Sequence, residues 1–253
     1  MMKGNVIVGQ SGGPTAAINS SLAGVYCTAR ERGAKKVYGM LHGIQGLMEG
    51  KYVDLSDFIR SDLDVELLRR TPAAFLGSCR YKLPEIHENQ EVYEKIFDIL
   101  EELDIECFIY IGGNDSMDTV DKLSRCARIR RESISFIGVP KTIDNDLPVT
   151  DHTPGYGSAA KYVASTVREI SLDASVYQQP AVTIVELMGR HAGWVTAAAA
   201  LARKFPGDNP LLIYMPEVPF SMEQFFKDVE QALSRQPNVV ICVSEGICDK
   251  NGR

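Results

Sequence analysis

Four side chains capable of chemistry fall within six residues: Lys141, Thr142, Asp144 and Asp146, in the stretch IGVPKTIDNDLP from Ile137 to Pro148. They follow an apolar run, Ile134 to Val139, that reads as a buried strand ending at Pro140. In a parallel α/β sheet, ligands gather outside the carboxyl ends of the strands. A cation, a hydroxyl and two carboxylates at such an end can hold a phosphate, a metal ion and a proton acceptor together. Alternation would place Asp144 and Asp146 on one side of an extended chain. One carboxylate can then accept the proton of a hydroxyl, help worth on the order of 10²–10⁴-fold in rate. The other can hold a metal or orient its neighbour.

A second apolar run, Cys107 to Ile111, ends in the same manner, in GGNDS from Gly112 to Ser116. Gly112 and Gly113 let the backbone close on a ligand, while Asn114, Asp115 and Ser116 present oxygens. Such oxygens suit Mg²⁺, which usually binds together with phosphate. The alternative use is an Asn or Asp cap for the following helix. The loop Gly9 to Asn19, with Gly12 and Gly13, lies between a strand and a helix start, where backbone amides can face an anion. It lacks the Gly-Lys-Ser/Thr ending of a Walker A loop, and a tight structural turn is an equal alternative. Arg80 in FLGSCR and Arg190 in MGRHAGW can each neutralise phosphate charge. His191 reads as structural and Trp194 as a filler between helix and sheet. Two polar strand ends side by side make phosphoryl transfer the leading chemistry.

The elements that must position these residues alternate along the chain. Strand-like runs cover Asn5 to Val8, Val37 to Leu41, Cys107 to Ile111, Ile134 to Val139, Ala181 to Leu187, Leu211 to Met215 and Asn238 to Val243. Helical periodicity marks Ala17 to Arg32, Gln90 to Leu103, Ser116 to Arg128, Tyr162 to Ser171, Trp194 to Arg203 and a helix starting at Ser221. The stretch up to about Arg70 reads as polar, acidic and without an assigned element. Strands alternating with helices imply parallel sheets covered on both faces. The proline- and glycine-rich turn Pro148 to Gly157 divides the chain into lobes at residues 1–149 and 150–253. The expected class is α/β, two Rossmann-like three-layer αβα lobes with mainly parallel sheets.

Composition narrows the partners. The 253 residues carry 33 acidic against 27 basic side chains, a net charge of -6, which disfavours a nucleic-acid binder, since that class normally shows a basic face. No apolar stretch approaches the roughly 20 residues of a membrane span, and the N-terminus reaches a polar loop too early for a signal peptide. Six cysteines without a CxxC pair fit a reducing, cytoplasmic setting.

In order along the chain, SGGPTAAIN, FLGSCR, GGNDS, PKTIDND, MGR and SEG together resemble the phosphofructokinase family. The resemblance spans nearly the whole chain, and PKTIDND with MGR is its most specific part. It implies transfer of a phosphoryl group to the 1-hydroxyl of fructose 6-phosphate, a step of glycolysis, with Mg²⁺ and in a homo-oligomer, dimer or tetramer. By position, Asp144 matches the catalytic base, Thr142 and Asp146 its positioning partners, and Arg190 an arginine that stabilises the transition state. Met188, Gly189 and Glu245 match sugar contacts. Gly12, Gly13, Arg80 and the Gly113–Ser116 loop match the phosphate-donor side, with Asn114 and Asp115 as candidate metal ligands. The first lobe is thus the donor lobe and the second the sugar-phosphate lobe.

Asp115 and Lys141 stand where ATP-using members have glycine, the pattern of the pyrophosphate-dependent branch. An aspartate there would crowd and repel a nucleotide, while lysine can hold pyrophosphate as a point charge. Thr119 also replaces a glycine that makes room for the nucleoside. Pyrophosphate is the expected donor. An ATP-dependent enzyme and a catalytically silent, sugar-phosphate-binding or regulatory subunit are the alternatives. Asn114 departs from a metal-binding aspartate, and Ala181 from an arginine that reaches a neighbouring subunit's sugar phosphate, which leaves another sugar phosphate such as sedoheptulose 7-phosphate open. Family members continue past SEG, so the second lobe is expected to be incomplete and the chain a fragment, a truncated gene product or one part of an assembly.

Overall fold

Strand β1 (Asn5–Gln10) is buried along its whole length and feeds two separate cores. Ile7 packs into one cluster, while Val6 and Val8 pack into the other, as the two-residue period of a strand requires. β4 (Ile105–Gly112) does the same, with Phe108 and Tyr110 on one face and Cys107 and Ile111 on the opposite face. A sheet apolar on both faces must be covered on both, and helices supply the cover.

The structure is a computed structural model that describes residues 2–252. It divides into two compact units, Met1–Thr142 and Ile143–Arg253, a boundary inside the PKTIDND stretch. In the first unit the sheet has the order β3-β2-β1-β4-β5, with β2 (Val37–Met40), β3 (Tyr52–Asp54) and β5 (Ser135–Pro140). All neighbours run parallel except β3, which pairs antiparallel with β2. One face is covered by α1 (Ile18–Glu31) and α3 (Asp62–Arg70), through Ile18, Leu22 and Leu68. The other is covered by α2 (Gly43–Met48), α4 (Gln90–Glu102) and α5 (Asn114–Arg130), through Leu47, Phe97 and Leu123.

The second unit has a parallel sheet of order β6-β8-β7, from β6 (Ala181–Leu187), β7 (Leu212–Tyr214) and β8 (Asn238–Ser244). α6 (Tyr156–Ala174) and α7 (Trp194–Ala197) pack Val163, Val167 and Val195 against Cys242 of β8 on one face. α8 (Met222–Leu233) packs Ala232 against Val239 and Ile241 on the other. Ser221 caps α8, accepting from the Gln224 N–H at 3.3 Å, as its sequence suggests. Among the described residues, no helix is long and apolar enough to cross a membrane.

Three expectations change. The run Ile134 to Val139 is not a buried strand: β5 is the outermost strand of its sheet, and Ile137 is 47% exposed. The polar stretch before Arg70 holds α2, β3 and α3, and α3 begins with a capping box between Ser61 and Asp64. The helix expected over Trp194 to Arg203 is one α-helical turn that tightens to a 3₁₀ helix at Ala198–Ala202.

The Phe108 ring is fully buried and sits 5.3 Å, centroid to centroid, from Phe136 on the adjacent strand. Phe108→Ala is expected to lower the stability of the first unit by about 3–5 kcal/mol. Chemical denaturation followed by circular dichroism measures it, and a loss below about 1 kcal/mol would contradict this packing.

Candidate active site

In the first unit the chain runs from β1 to β2 on one side and returns to β4 on the other. The loops after β1 and β4 therefore leave at a topological switch point, where open α/β sheets form their crevice. Register holds the strand ends level, Gln10 opposite Ile111 and Gly112 opposite Pro140. Beyond them, Ser11 N–H donates to Ile111 O at 2.9 Å and Lys141 N–H to Gly112 O at 3.0 Å. The Gly12, Gly113 and Lys141 segments are thereby laid side by side.

Side chains then tie these segments together. The Lys141 ammonium, 5% exposed as a residue, donates to the Gly13 carbonyl. Gly12 N–H and Ser11 Oγ both donate to the Cys79 carbonyl, at 3.2 and 3.3 Å, and Ser78 Oγ donates to Gly12 O at 2.6 Å. The FLGSCR segment thus borders the first loop and delivers the exposed Arg80 beside it. Underneath, Cys79 Sγ lies 3.6 Å from the Tyr110 hydroxyl, which accepts from Ile44 N–H at 3.0 Å. Burial pushes the Tyr110 hydroxyl well above its usual range. Burial also pushes the Cys79 thiol up, but hydrogen bonds from Tyr81, Tyr110, Gln45 and Ser11 outweigh it and leave the thiol below its ordinary value.

At the start of α5 the alternative use of these residues, an Asn or Asp cap, does not form. Gly113 is the cap residue, with no side-chain bond, which puts Asn114 and Asp115 inside the first turn, both exposed. Their oxygens stand at the end of a helix whose unpaired N–H groups and dipole favour anions. Ser116 is buried beneath Gly112, and a Cβ at Gly112 would lie 1.9 Å from Ser116 Oγ, so only glycine fits. Thr119 is buried and donates to Asp115 O at 2.9 Å.

In the second unit β6 and β8 are neighbours, Leu187 opposite Ser244, so the MGR and SEG segments leave together. Glu245 N–H donates to Leu187 O at 2.8 Å, Gly189 N–H to Glu245 Oε1 at 3.1 Å, and Ser244 Oγ to Gly189 O. A Cβ at Gly246 would stand 2.0 Å from Arg190 O. Arg190 Nε is 4.0 Å from Glu245 Oε1, but its side chain is 78% exposed, a loose pair that leaves the guanidinium able to reach a ligand. Met188 is likewise exposed.

The extended geometry expected for Asp144 and Asp146 does not form. Asn145 between them takes a left-handed φ of 57°, so the two carboxylates do not follow strand alternation. Asn145 is buried, donates to Asp151 O at 3.0 Å and accepts from Thr153 N–H at 2.9 Å. Asp144 is half-buried and Asp146 exposed. Trp194 does not fill a gap between helix and sheet: it is 53% exposed, its ring set at 71° to that of Tyr156. His191 is exposed.

The candidate residues fall into two sets. Gly12, Gly13, Arg80, Gly113, Asn114, Asp115, Ser116, Lys141 and Thr142 belong to the first unit, and Asp144, Asp146, Met188, Gly189, Arg190 and Glu245 to the second. Ser11, Ser78 and Asn145 hold the loops in place and were passed over in the sequence. Their only signal was a hydroxyl or amide beside a glycine or aspartate, common in any turn. Among the described residues, no group of three or more His, Cys, Asp or Glu is placed to hold a metal ion.

These loops, in this order on these strands, coincide with a match of residues 5–253 to the sequence model described as Phosphofructokinase. The chain belongs to the phosphofructokinase family. A relative from Rhodospirillum rubrum, named pyrophosphate–fructose 6-phosphate 1-phosphotransferase, is 44% identical over 253 residues, 100% of this chain and 60% of its own length. The crystal structure of the pyrophosphate-dependent phosphofructokinase from Marinobacter aquaeolei superposes with a TM-score of 0.88 at 41% identity, covering 98% of this chain and 62% of that one. An ATP-dependent 6-phosphofructokinase from Erwinia tasmaniensis is 30% identical over 242 residues, 95% of this chain and 69% of its own length. This member of the phosphofructokinase family thus spans about 60% of the length of the pyrophosphate-named relative.

Gly112 and Gly13 make a paired test of the geometry of these loops. A Cβ at Gly13 meets nothing within 4 Å, whereas one at Gly112 collides with Ser116. Gly112→Ala is expected to cost about 1–3 kcal/mol and Gly13→Ala less than about 0.5 kcal/mol. Thermal unfolding of both variants reads the difference, and equal stabilities would show that the two strand ends are not packed in this way.

Proposed function

We propose that this chain carries the donor and acceptor residues of a phosphotransferase that moves a phosphoryl group from pyrophosphate to the 1-hydroxyl of fructose 6-phosphate. The product is fructose 1,6-bisphosphate, and the step is a reversible one of glycolysis. The observation that carries the donor assignment is Lys141, buried against the Gly13 carbonyl, together with Asp115 exposed in the first turn of α5. A carboxylate at that helix end repels and crowds the α-phosphate of a nucleotide, while a lysine on the glycine loop attracts a compact diphosphate. The higher identity to the pyrophosphate-named relative, 44% against 30% for the ATP-named one, supports the same donor.

The roles follow from residue chemistry. Gly12, Gly13, Gly113 and Arg80 hold the donor through backbone N–H groups and a guanidinium, and Ser116, packed beneath Gly112, supports the loop. The sugar 1-hydroxyl gives its proton to Asp144, its oxygen attacks the near phosphorus, and the bridging P–O bond breaks to release phosphate. Thr142 and Asp146 position that hydroxyl, Arg190 balances charge on the moving group, and Met188, Gly189 and Glu245 contact the sugar. Positioning and electrostatics supply most of the rate in such transfers. Asn114 and Asp115 present hard oxygen donors unused by helix capping, a set that fits Mg²⁺ shared with phosphate. When bound, that ion neutralises phosphate charge.

The four cysteines buried without disulfides, Cys79, Cys107, Cys126 and Cys242, support a reducing cytoplasmic setting. Val182 and Ile184, exposed along β6, support a homo-oligomer, a dimer or tetramer.

Product formation from pyrophosphate and from ATP, compared on purified protein, is the first test, and pyrophosphate is expected to be the donor used. Asp144→Ser should lower turnover by roughly 10²–10⁴-fold while calorimetry still detects fructose 6-phosphate binding. Near-normal turnover would remove Asp144 from the role of base. Asp115→Gly combined with Lys141→Gly should admit measurable ATP use and weaken pyrophosphate use. If neither donor's rate changes, the donor assignment is wrong.

A further inference from the structure

Lys122 is the one lysine besides Lys141 that is buried among the described residues, and the proposed reaction does not use it. It lies on α5 seven residues after Asp115, about two helical turns along the same face. Its ammonium has three N–H donors and meets three acceptors: Asp118 Oδ2 at 2.8 Å, Glu85 Oε1 at 3.1 Å and the Leu83 carbonyl at 2.9 Å. The Asp118 hydrogen bond is the first of the contacts that raise its pKa, so the charge is held.

Two of these acceptors belong to the segment that follows Arg80. Leu83 is 1% exposed, and the next carbonyl, Pro84 O, accepts from the Tyr93 hydroxyl at 2.7 Å. Before Arg80, the Cys79 carbonyl is held by Gly12 N–H and Ser11 Oγ. Arg80 therefore sits on a short span pinned at both ends, at Cys79 by the first glycine loop and at Leu83 by α5. Ion pairs to carboxylates that stay about two-fifths exposed, as Asp118 and Glu85 do, add little stability. What a threefold-bonded ammonium gives, and an apolar group does not, is a fixed distance between two segments.

We propose that Lys122 is a positioning residue for the phosphate donor: it locks the Arg80 segment to α5, so that the guanidinium of Arg80 and the Asn114–Asp115 turn meet a pyrophosphate in fixed register. This deepens the donor assignment above and rests on it.

The test is calorimetric titration of the 253-residue chain with magnesium pyrophosphate and, separately, with fructose 6-phosphate. Lys122→Met and Arg80→Ala are each expected to weaken pyrophosphate binding about tenfold, the scale of a lost charged hydrogen bond. Because one acts through the other, the double variant should bind within about threefold of Arg80→Ala alone. Fructose 6-phosphate affinity should not change. Unaltered pyrophosphate binding by Lys122→Met, losses that multiply in the double variant, or a parallel fall in fructose 6-phosphate affinity would each overturn the proposal. Should Lys122→Met fail to fold, Glu85→Gln removes one arm at the partly exposed rim. It should weaken pyrophosphate binding about threefold, again only while Arg80 is present, and no effect would overturn the clamp. If the unaltered chain takes up no pyrophosphate, the donor assignment itself falls and the clamp with it. If it binds and the variants bind equally well, only the clamp falls.

Discussion

The parallel pairing of β1 with β4 is the constraint on which the candidate site of the first unit depends. It places Gln10 opposite Ile111, and from that register the backbone carries on in step, Ser11 N–H to Ile111 O and Lys141 N–H to Gly112 O. Chain order makes this pair special, because β2 lies on one side of β1 and β4 on the other, so no connecting helix covers the strand ends between them. Into that gap the sequence places glycines, whose backbones approach closely, and one buried lysine whose ammonium donates to a carbonyl of the first loop. A register slip of one residue would turn every side chain to the wrong face. It would also part Lys141 from Gly13.

The second unit follows the same rule with different parts. β6 and β8 are far apart in sequence but adjacent in the sheet, so MGR and SEG meet. There the contact is a carboxylate taking a backbone N–H, Glu245 to Gly189, with Ser244 closing on the Gly189 carbonyl. Gly246 lets the second segment pass against Arg190 at a distance no side chain would allow. The backbone is thus held rigidly while the Arg190 guanidinium remains mostly in solvent.

Much of the fold could be read from periodicity, and the exceptions have reasons. α4 was visible because Val92, Ile96, Ile99 and Leu103 recur at helical spacing, and it runs Gln90–Glu102. α3 was not, because its exposed faces carry most of its residues and only Leu68 is fully buried. Its capping box at Ser61 and Asp64 was present in the sequence as a Ser-x-x-Asp pattern and went unused. β3 has only three residues, half-buried and antiparallel, too short to show any period. β5 looked like an interior strand because apolar composition cannot tell an edge from a centre.

Sequence by itself determined which residues can do chemistry and that they follow apolar runs, because side-chain type and strand period are local properties. It also carried the family, through motifs whose order matches residues 5–253. Tertiary structure alone decided which strand ends are neighbours, that Asn145 breaks the alternation of Asp144 and Asp146, and that Asn114 and Asp115 stand inside the first turn of α5 instead of capping it. The strand neighbours depend on contacts between segments far apart in the chain, as between Asn5 and Leu103 or Ser11 and Cys79, while the Asn145 turn is fixed by the fold of the loop around it, through Asp151 and Thr153. Local residue preferences do not encode such partners, since the energy that selects them exists only once the sheet has closed.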